Sequence, residues 1–209
     1  SFDRAPHSVI LLAVASSLLV ALVPAGVFFR DSGEFLVQAV HLDIAHPPGF
    51  PLFGMLSNLA TFIPLGPWGW RVHLGCAVFG LLLCVILGRV GASLAVERER
   101  GVVAIVAPGF LFCGAGFLKQ TGNAEVYLLN GLLLVGLAAA FIEYVRRGDS
   151  RWLFGASFCA GLGLGNHPSL ALSLLPMALI TAPSAGLRRT AWCCVFVAWG
   201  LGVYGYLPI

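Results

Sequence analysis

The chain alternates between long apolar runs and short polar connections. Crossing a membrane as a helix takes about 20 apolar residues. Seven runs approach or reach that length, at 8–29, 70–96, 101–118, 124–145, 152–166, 169–183 and 190–208. The fifth and sixth are short and meet at the sequence GNHPS, so they form either one hairpin or one broken helix. The pattern predicts an all-α bundle of about seven transmembrane helices.

Two further segments lie in the connection that follows the first run. Residues 33–45 place apolar side chains on one face, which is typical of a helix on the membrane surface. Asp31 or Ser32 is expected to cap this helix, with Glu34 in its first turn. Residues 50–63 are apolar but too short to span comfortably, and prolines and glycines bound them on both sides. They predict an interfacial or re-entrant helix.

Composition supports membrane insertion of the whole chain. It is 59% hydrophobic and 10% charged, with a mean hydropathy of +0.93, whereas a soluble domain has about 25% charged residues. The six cysteines show no CxxC pair and no Cys/His metal spacing, and they are expected as small buried residues. Because the chain begins with Ser1 and its last apolar run stops at Ile209, we expect one transmembrane domain over 1–209, the N-terminal part of a longer protein.

The cations of the connections sort to one side of the predicted bundle. That side holds Arg4, Arg98, Arg100, Arg146, Arg147, Arg151, Arg188 and Arg189. The other side keeps only Arg30, Arg71 and Lys119. Because cytoplasmic loops are enriched in Lys and Arg, the N-terminus is predicted to be cytoplasmic. The residue bias toward Ala, Gly, Leu, Val and Arg favours a bacterial inner membrane.

The sparsely basic, extracytoplasmic side contains most of the distinctive ionisable groups. Asp31 follows the first run at the membrane boundary, and Glu34, three residues later, can share its helix face. They are either a helix cap and a dipole partner, or a general base or cation ligand. In HPPGFP, Pro47 and Pro48 prevent helix continuation and hold His46 on a stiff loop near Asp31. The alternative is a turn with a chance histidine.

Two later connections bring further polar groups to the same predicted level. Glu125 begins the fourth run, and a carboxylate at the membrane boundary is costly unless it is paired or functional. Capping by Asn123 is the plainer explanation. His167 lies in the turn of GNHPS and is either structural or part of the same site. The chain has no P-loop, GxSxG, HExxH or dinucleotide-binding motif, so an enzyme of this kind is expected to take a lipid-linked substrate.

Four stretches match a known family in order and spacing. They are DSGEFLVQAVHLDIAHPPGFPLF, WRVHLGCAVFG, NAEVYLLNGLL and GLGLGNHPSLALSLLP. From about residue 10 to the end, the chain resembles the transmembrane O-mannosyltransferase family, first catalogued as a domain of unknown function and similar to the GT-C glycosyltransferases. His73 stands where the family pattern is expected to have Asn. The resemblance implies a core of about seven spans with juxtamembrane helices in the first extracytoplasmic loop.

The resemblance also implies a reaction. A mannose-like sugar would move, with inversion, from a polyprenyl-phosphate donor to a protein hydroxyl on the extracytoplasmic side. Asp31 would be the catalytic base or a ligand for a divalent cation, with support from Glu34 and His46. Asn123 and Glu125 would hold sugar hydroxyls or orient the acceptor. The donor phosphate needs compensating positive charge, and the candidates are Arg30, Arg71, Lys119 and His167.

Two other functions stay open on sequence alone. The chain is alternatively a structural or accessory subunit of a larger membrane complex whose catalytic motifs are unused. A transporter or flippase would show ionisable residues at mid-membrane and internal repeats, and neither is visible in the sequence. The expected partners are membrane lipid, a lipid-linked sugar donor, a protein acceptor and other membrane subunits, with no nucleic acid.

Overall fold

The computed structural model describes residues 20–21, 23–27, 30–181 and 186–207. Within these ranges the regular structure is entirely helical, which confirms the all-α prediction. The α-helices are α1 (Ser32–His41), α2 (Pro51–Thr61), α3 (Trp68–Leu94), α4 (Arg100–Phe112), α5 (Ala115–Thr121), α6 (Tyr127–Arg147), α7 (Ser150–Leu164), α8 (Ala171–Thr181) and α9 (Leu187–Leu201). Short 3₁₀ helices cover Glu97–Glu99, Pro168–Leu170 and Gly202–Tyr206.

Fewer helices qualify as membrane spans than the sequence predicts. In the part of the chain that the structure describes, only α3 and α6 are long and apolar enough by themselves to cross a membrane. A third span results if α4 and α5, which meet at 73°, count as one broken helix. The seven predicted spans are therefore not confirmed: two or three candidates are present in the described part of the chain. The predicted span 8–29 lies mostly outside the described residues.

The difference arises from helix length. Both α7 and α9 have 15 residues, which at 1.5 Å per residue gives about 23 Å against a hydrocarbon core of about 30 Å. The predicted break at GNHPS is present, since α7 ends at Leu164 and a 3₁₀ turn begins at Pro168. Hydrophobic runs show where apolar residues lie, but they do not show where a helix stops.

The two predicted helices of the first long connection are present as α1 and α2. The first ends at His41, earlier than expected, because Leu42 adopts a left-handed conformation with φ 54°. Asp31 occupies the N-cap position of α1, but its side chain forms no capping hydrogen bond. The second begins at Pro51, a residue well suited to a first helical turn.

A shared apolar core fixes α1 and α2 to the bundle. Phe35 of α1 and Phe53 of α2 are almost fully buried and their rings meet edge to face, 5.2 Å apart. Val72 of α3 and Leu129 of α6 belong to the same cluster. The first connection is thus a packed layer on the ends of α3 and α6. We call this end of the bundle the first-loop end.

The opposite end of α3 and α6 carries the arginines. Arg146 near the end of α6 donates to the carbonyl of Ser93 near the end of α3. Arg189 of α9 donates to the Tyr144 hydroxyl at 3.2 Å. We call this end the arginine end. The length of α3 is about 40 Å and that of α6 about 32 Å. The two ends of the bundle therefore lie about a membrane thickness apart.

Candidate functional site

Three connections meet at the first-loop end. The backbone amide of Leu52, at the start of α2, donates to the Gly165 carbonyl at 3.2 Å. The side chain of Asn166 donates to the Val126 carbonyl, also at 3.2 Å. The α1–α2 loop, the residues before α6 and the α7–α8 turn therefore form one surface. Most of the predicted site residues lie on it.

Asp31, Glu34 and His46 form a compact cluster on this surface. His46 Nδ1 lies 2.7 Å from Glu34 Oε2, and the His46 backbone amide donates to the other oxygen of the same carboxylate. One ligand atom from each of the three residues lies within 4.8 Å of the others. The loop after α1 thus returns His46 to the first turn of that helix. All three residues are exposed.

Glu34 and His46 shift the pKa of each other. The hydrogen bond from His46 lowers the pKa of Glu34. The same bond raises the pKa of His46, and the negative charges of Glu34, Asp31 and Glu125 act in the same direction. Glu34 and His46 therefore each favour the charged form of the other. Among the described residues no hydrogen bond or ion pair engages the Asp31 carboxylate, which leaves it able to accept a proton.

Gln38 holds the loop that carries His46. Its side chain, 1% exposed, donates to the Gly49 carbonyl at 2.7 Å. A Cβ added at Gly54 would lie 2.8 Å from Gln38 Nε2, so glycine is what lets α2 approach this amide. The peptide bond between Pro47 and Pro48 is cis. A buried polar residue on the apolar face of α1 was the available sequence signal for this role, and our sequence analysis missed it.

Glu125 lies beneath the surface cluster. It is 4% exposed, and burial, followed by the negative charge of Asp31, raises its pKa. The positive charges of Arg30, His46 and Lys119 oppose that rise. A carboxyl in this environment retains its proton to higher pH than usual and can then donate a hydrogen bond. Asn123 in the same loop is also buried, and its Oδ1 meets no donor in the described part of the chain.

His167 is oriented by a chain of hydrogen bonds. The backbone amide of Ser169 donates to His167 Nδ1 at 3.2 Å, and the Ser169 hydroxyl lies 2.9 Å from the same atom. Asn130 Nδ2 donates to that hydroxyl oxygen at 3.1 Å. Because Nδ1 accepts, this pattern assigns the ring proton to Nε2. The arrangement presents Nε2 as the donor nitrogen of His167, and its role in binding the donor phosphate stays a prediction.

Phe50 joins the two histidines. Its ring lies edge to face with His46 at 5.0 Å and stacks on His167 at 6.2 Å, measured between ring centroids. Phe50 adopts a left-handed backbone conformation with φ 44°, which is unusual for a bulky residue. Its side chain is 4% exposed. The sequence offered no signal for this contact, because the partners come from distant connections.

The three predicted cations occupy different settings. Arg71 donates to the carbonyls of Thr61, Leu65 and Gly66 at 2.7, 3.1 and 2.9 Å, which ties the end of α2 to the start of α3. Its role in phosphate binding stays a prediction beside this structural role. Arg30 and Lys119 are exposed, and both act electrostatically on Glu125.

The surface cluster has a composition compatible with a divalent cation. Asp31 and Glu34 offer carboxylate oxygens, the ligands that Mg²⁺ and Ca²⁺ prefer, and His46 offers a ring nitrogen. In this structure His46 Nδ1 is already paired with Glu34. Binding an ion through all three residues would therefore have to replace or share that pair.

Comparison with known proteins places this arrangement in a family. Residues 31–184 match the family described as the protein O-mannosyl-transferase TMEM260 N-terminal domain. The mouse protein O-mannosyl-transferase TMEM260 is 32% identical over 173 residues, covering 80% of this chain and 24% of the mouse protein. The Dictyostelium discoideum protein of that name is 23% identical over 164 residues, covering 71% and 20% respectively.

The match is limited to one region of these relatives. The chain spans about a quarter of the length of the mouse protein. No solved structure matches. The family match covers the α1–α2 layer, α3, α6 and the α7–α8 turn, which together build the first-loop end. The resemblance found in the sequence is confirmed, and the chain belongs to the family of the protein O-mannosyl-transferase TMEM260 N-terminal domain.

Proposed function

We propose that this chain forms the core of a membrane mannosyltransferase that modifies a protein hydroxyl. The names of its relatives support mannose as the sugar and a protein as the acceptor. The observation that carries the proposal is the Asp31 carboxylate, unpaired among the described residues beside the Glu34–His46 pair. A transferase needs such a base where donor and acceptor meet. The proposed donor is a polyprenyl-phosphate sugar of the kind that GT-C enzymes use.

The proposed chemistry is a single displacement. Asp31 accepts the proton of the acceptor Ser or Thr hydroxyl. The oxygen of that hydroxyl bonds to the anomeric carbon of the sugar in the same step. The bond between that carbon and the donor phosphate breaks, and the phosphate leaves with the electron pair. Attack from the side opposite the leaving group inverts the anomeric configuration. Glu34 holds His46 beside Asp31 by the hydrogen bond to its ring nitrogen, so the three side chains stay together at the proposed site.

The remaining predicted residues have proposed roles in binding. Glu125 and Asn123 are buried polar residues proposed to bind sugar hydroxyls, and Asn123 Oδ1 meets no donor among the described residues. Arg30 and Lys119 are exposed cations that suit the donor phosphate. His167 contributes through its Nε2–H group, a donor to a phosphate or sugar oxygen. Such a site would face the extracytoplasmic side, as the arginine distribution predicts.

Asp31→Asn tests the proposal. The variant keeps the size of the side chain and removes the base, so sugar transfer by the intact protein from a polyprenyl-phosphate mannose donor is expected to fall about 10²–10⁴-fold. Asp43→Asn is the matched control, because Asp43 is an exposed aspartate in the same connection, and in the described part of the chain its side chain accepts only from the backbone amide of Ile44. Its activity is expected to stay unchanged.

Two further results decide between the alternatives. Undiminished transfer by Asp31→Asn would refute the catalytic base and leave an accessory role for the chain. Loss of transfer by the unaltered protein after chelation with EDTA, restored by Mg²⁺ or Mn²⁺, would instead assign Asp31 the role of cation ligand. Transfer that survives chelation but not Asp31→Asn supports the base.

A further inference from the structure

Four arginines converge at the arginine end of the bundle. Arg146 and Arg147 end α6, and Arg188 and Arg189 lie in the first turn of α9. The Arg189 guanidinium donates to the Tyr144 hydroxyl of α6 at 3.2 Å, which ties the two helix ends together. We call these four arginines the basic cluster. It lies at the end of the bundle opposite the candidate site and takes no part in the proposed reaction.

A single carboxylate compensates the basic cluster. Glu143 of α6 pairs with Arg147 and lies 3.7 Å from Arg146 Nη1. In the described part of the chain, no second carboxylate pairs with any of the four arginines. The connection between α3 and α4 differs, because residues 97–100 alternate two glutamates with two arginines. Positive charge is therefore in excess at the basic cluster and balanced in the α3–α4 connection.

The arginines of the basic cluster are accessible to an external anion. The side chain of Arg146 is 41% exposed and that of Arg147 63%, and Arg188 is exposed as well. Each guanidinium has five N–H donors, so the contacts within the protein leave donors for another acceptor. The first turn of α9 contains no acidic residue, although a helix dipole disfavours positive charge there. An external anion would compensate this charge.

Exposed tryptophans place the basic cluster at the depth of the membrane boundary. Trp152 lies in the first turn of α7, Trp192 follows Arg188 by one turn of α9, and both tryptophans are exposed. The Arg147 guanidinium lies 5.7 Å from the centroid of the Trp152 ring. Tryptophan is enriched where lipid head groups meet the hydrocarbon core. The anion that reaches the basic cluster most readily is therefore a lipid head group rather than a soluble ion.

We propose that the basic cluster binds the phosphate of an anionic phospholipid head group. A guanidinium presents paired N–H donors that match two oxygens of a phosphate. Zwitterionic phospholipids carry the same phosphate, but their ammonium group would add positive charge where it is already in excess. Basic pockets between transmembrane helices bind anionic head groups in this way. The inference goes beyond the proposed function and does not depend on it, since neither sugar donor nor acceptor enters the interaction.

Removing the charges at the start of α9 tests the proposal. Arg188→Gln/Arg189→Gln deletes two positive charges from the basic cluster, and the first turn of α9 does not need them. Arg98→Gln/Arg100→Gln is the matched control, because it deletes two exposed positive charges from the α3–α4 connection at the same end. Native mass spectrometry of the intact protein, titrated in detergent micelles with phosphatidylglycerol or phosphatidylcholine, measures the affinity for each lipid.

The unaltered protein is expected to bind phosphatidylglycerol about tenfold or more tightly than phosphatidylcholine, since each arginine near a membrane surface strengthens binding to anionic lipid about fivefold. Arg188→Gln/Arg189→Gln is expected to lose most of this preference, whereas the control variant keeps it. Equal affinity of the unaltered protein for the two lipids would overturn the proposal. Equal losses in the two double variants would also overturn it, because the overall charge of this end would then attract lipid without a defined site.

A charge-preserving variant separates lipid binding from damage to the fold. Arg188→Lys/Arg189→Lys retains both positive charges and is expected to bind phosphatidylglycerol about fivefold or more tightly than Arg188→Gln/Arg189→Gln. Equally weak binding by these two variants would overturn the proposal, because charge would then not determine binding. Glycerol 3-phosphate, a soluble phosphate, is expected not to displace phosphatidylglycerol at equal concentration. Its displacement of the lipid would assign the basic cluster to a soluble anion and overturn the proposal.

Discussion

Glu34 and His46 are the residues at the candidate site whose protonation states are most tightly linked. Each stabilises the charged form of the other through a hydrogen bond at 2.7 Å. The favourable contribution of His46 is complete below its ordinary pKa of 6.5 and is lost as the pH rises through its raised folded value. That of Glu34 is present above its ordinary pKa of 4.5 and is lost as the pH falls through its lowered value. The pair is therefore strongest between about pH 4.5 and 6.5.

Glu34→Gln is expected to lower the pKa of His46. The variant removes the hydrogen-bonded carboxylate, the largest of the influences that raise it, while the charges of Asp31 and Glu125 remain. NMR titration of histidine-labelled protein measures the value, with His46→Asn identifying the signal. Asp43→Asn serves as the control and is expected to leave the titration unchanged. An unchanged His46 titration in Glu34→Gln would contradict the observed pairing.

Because charged residues are rare in this chain, some residues of the candidate site could be predicted from the sequence. In a chain with 10% charged residues, Asp31, Glu34 and Glu125 stand out, and the structure places all three at one end of the bundle. The amides of Gln38 and Asn166 did not stand out, because they are neutral and their partners are backbone carbonyls elsewhere in the chain. Sequence alone does not identify which distant carbonyl a buried amide will meet.

At the level of elements, helix contact depends on a few glycines. The backbones of α7 and α9 meet where Gly161 and Gly200 face each other: a Cβ added at Gly161 would lie 2.9 Å from the Gly200 Cα and closer still to the Val197 carbonyl oxygen. Stacked rings continue the contact on one side, with Phe154 and Phe196 5.2 Å apart. Small residues permit this approach within membranes.

Gly161→Ala is expected to destabilise the protein by about 1–3 kcal/mol, because backbone atoms rather than a movable side chain fill the space. Gly155→Ala is the control in the same helix. Its added Cβ meets nothing within 4 Å, so the better helix propensity of alanine should leave stability equal or higher by up to about 1 kcal/mol. The free energy of unfolding in mixed detergent micelles measures both. Equal losses in the two variants would argue against the close crossing.

The helices also show which structural features the pattern of apolar residues does not predict. Apolar periodicity located α3 and α6, whose interiors lack proline. It merged α4 and α5 into one predicted span, because the break at Cys113 and Gly114 lies inside an unbroken apolar run. The bend depends on packing against neighbouring helices, and hydropathy contains no information about that packing.

At the level of the whole molecule, the Asp31–Glu34–His46 cluster and most of the described arginines lie at opposite ends. The Glu34–His46 pair and Glu125 lie at the first-loop end, whereas Arg146 and Arg189 bind backbone and tyrosine oxygens at the arginine end. The arginine pattern in the sequence predicted this separation. The structure shows the two ends, and the direction of insertion stays a prediction.

Single cysteines test that direction. Asp43→Cys lies at the first-loop end and Glu97→Cys at the arginine end, and both positions are exposed. In a chain whose six natural cysteines are replaced, a membrane-impermeant maleimide is added to sealed vesicles of known sidedness. Labelling of position 43 from the extracytoplasmic side, and of position 97 only after permeabilisation, is expected. The reverse pattern, or labelling of both from one side, would contradict the orientation.

The bond between Leu52 and Gly165 has a consequence for the order of events during synthesis. The α1–α2 layer leaves the ribosome early, but its partner in the α7–α8 turn follows only after α3 to α7 have been made. Contacts between residues so far apart in sequence form late, because a long loop must close first. A nascent chain that stops before Gly165 would insert its early helices and still lack a complete first-loop surface. Completion of that surface is thus coupled to completion of the bundle.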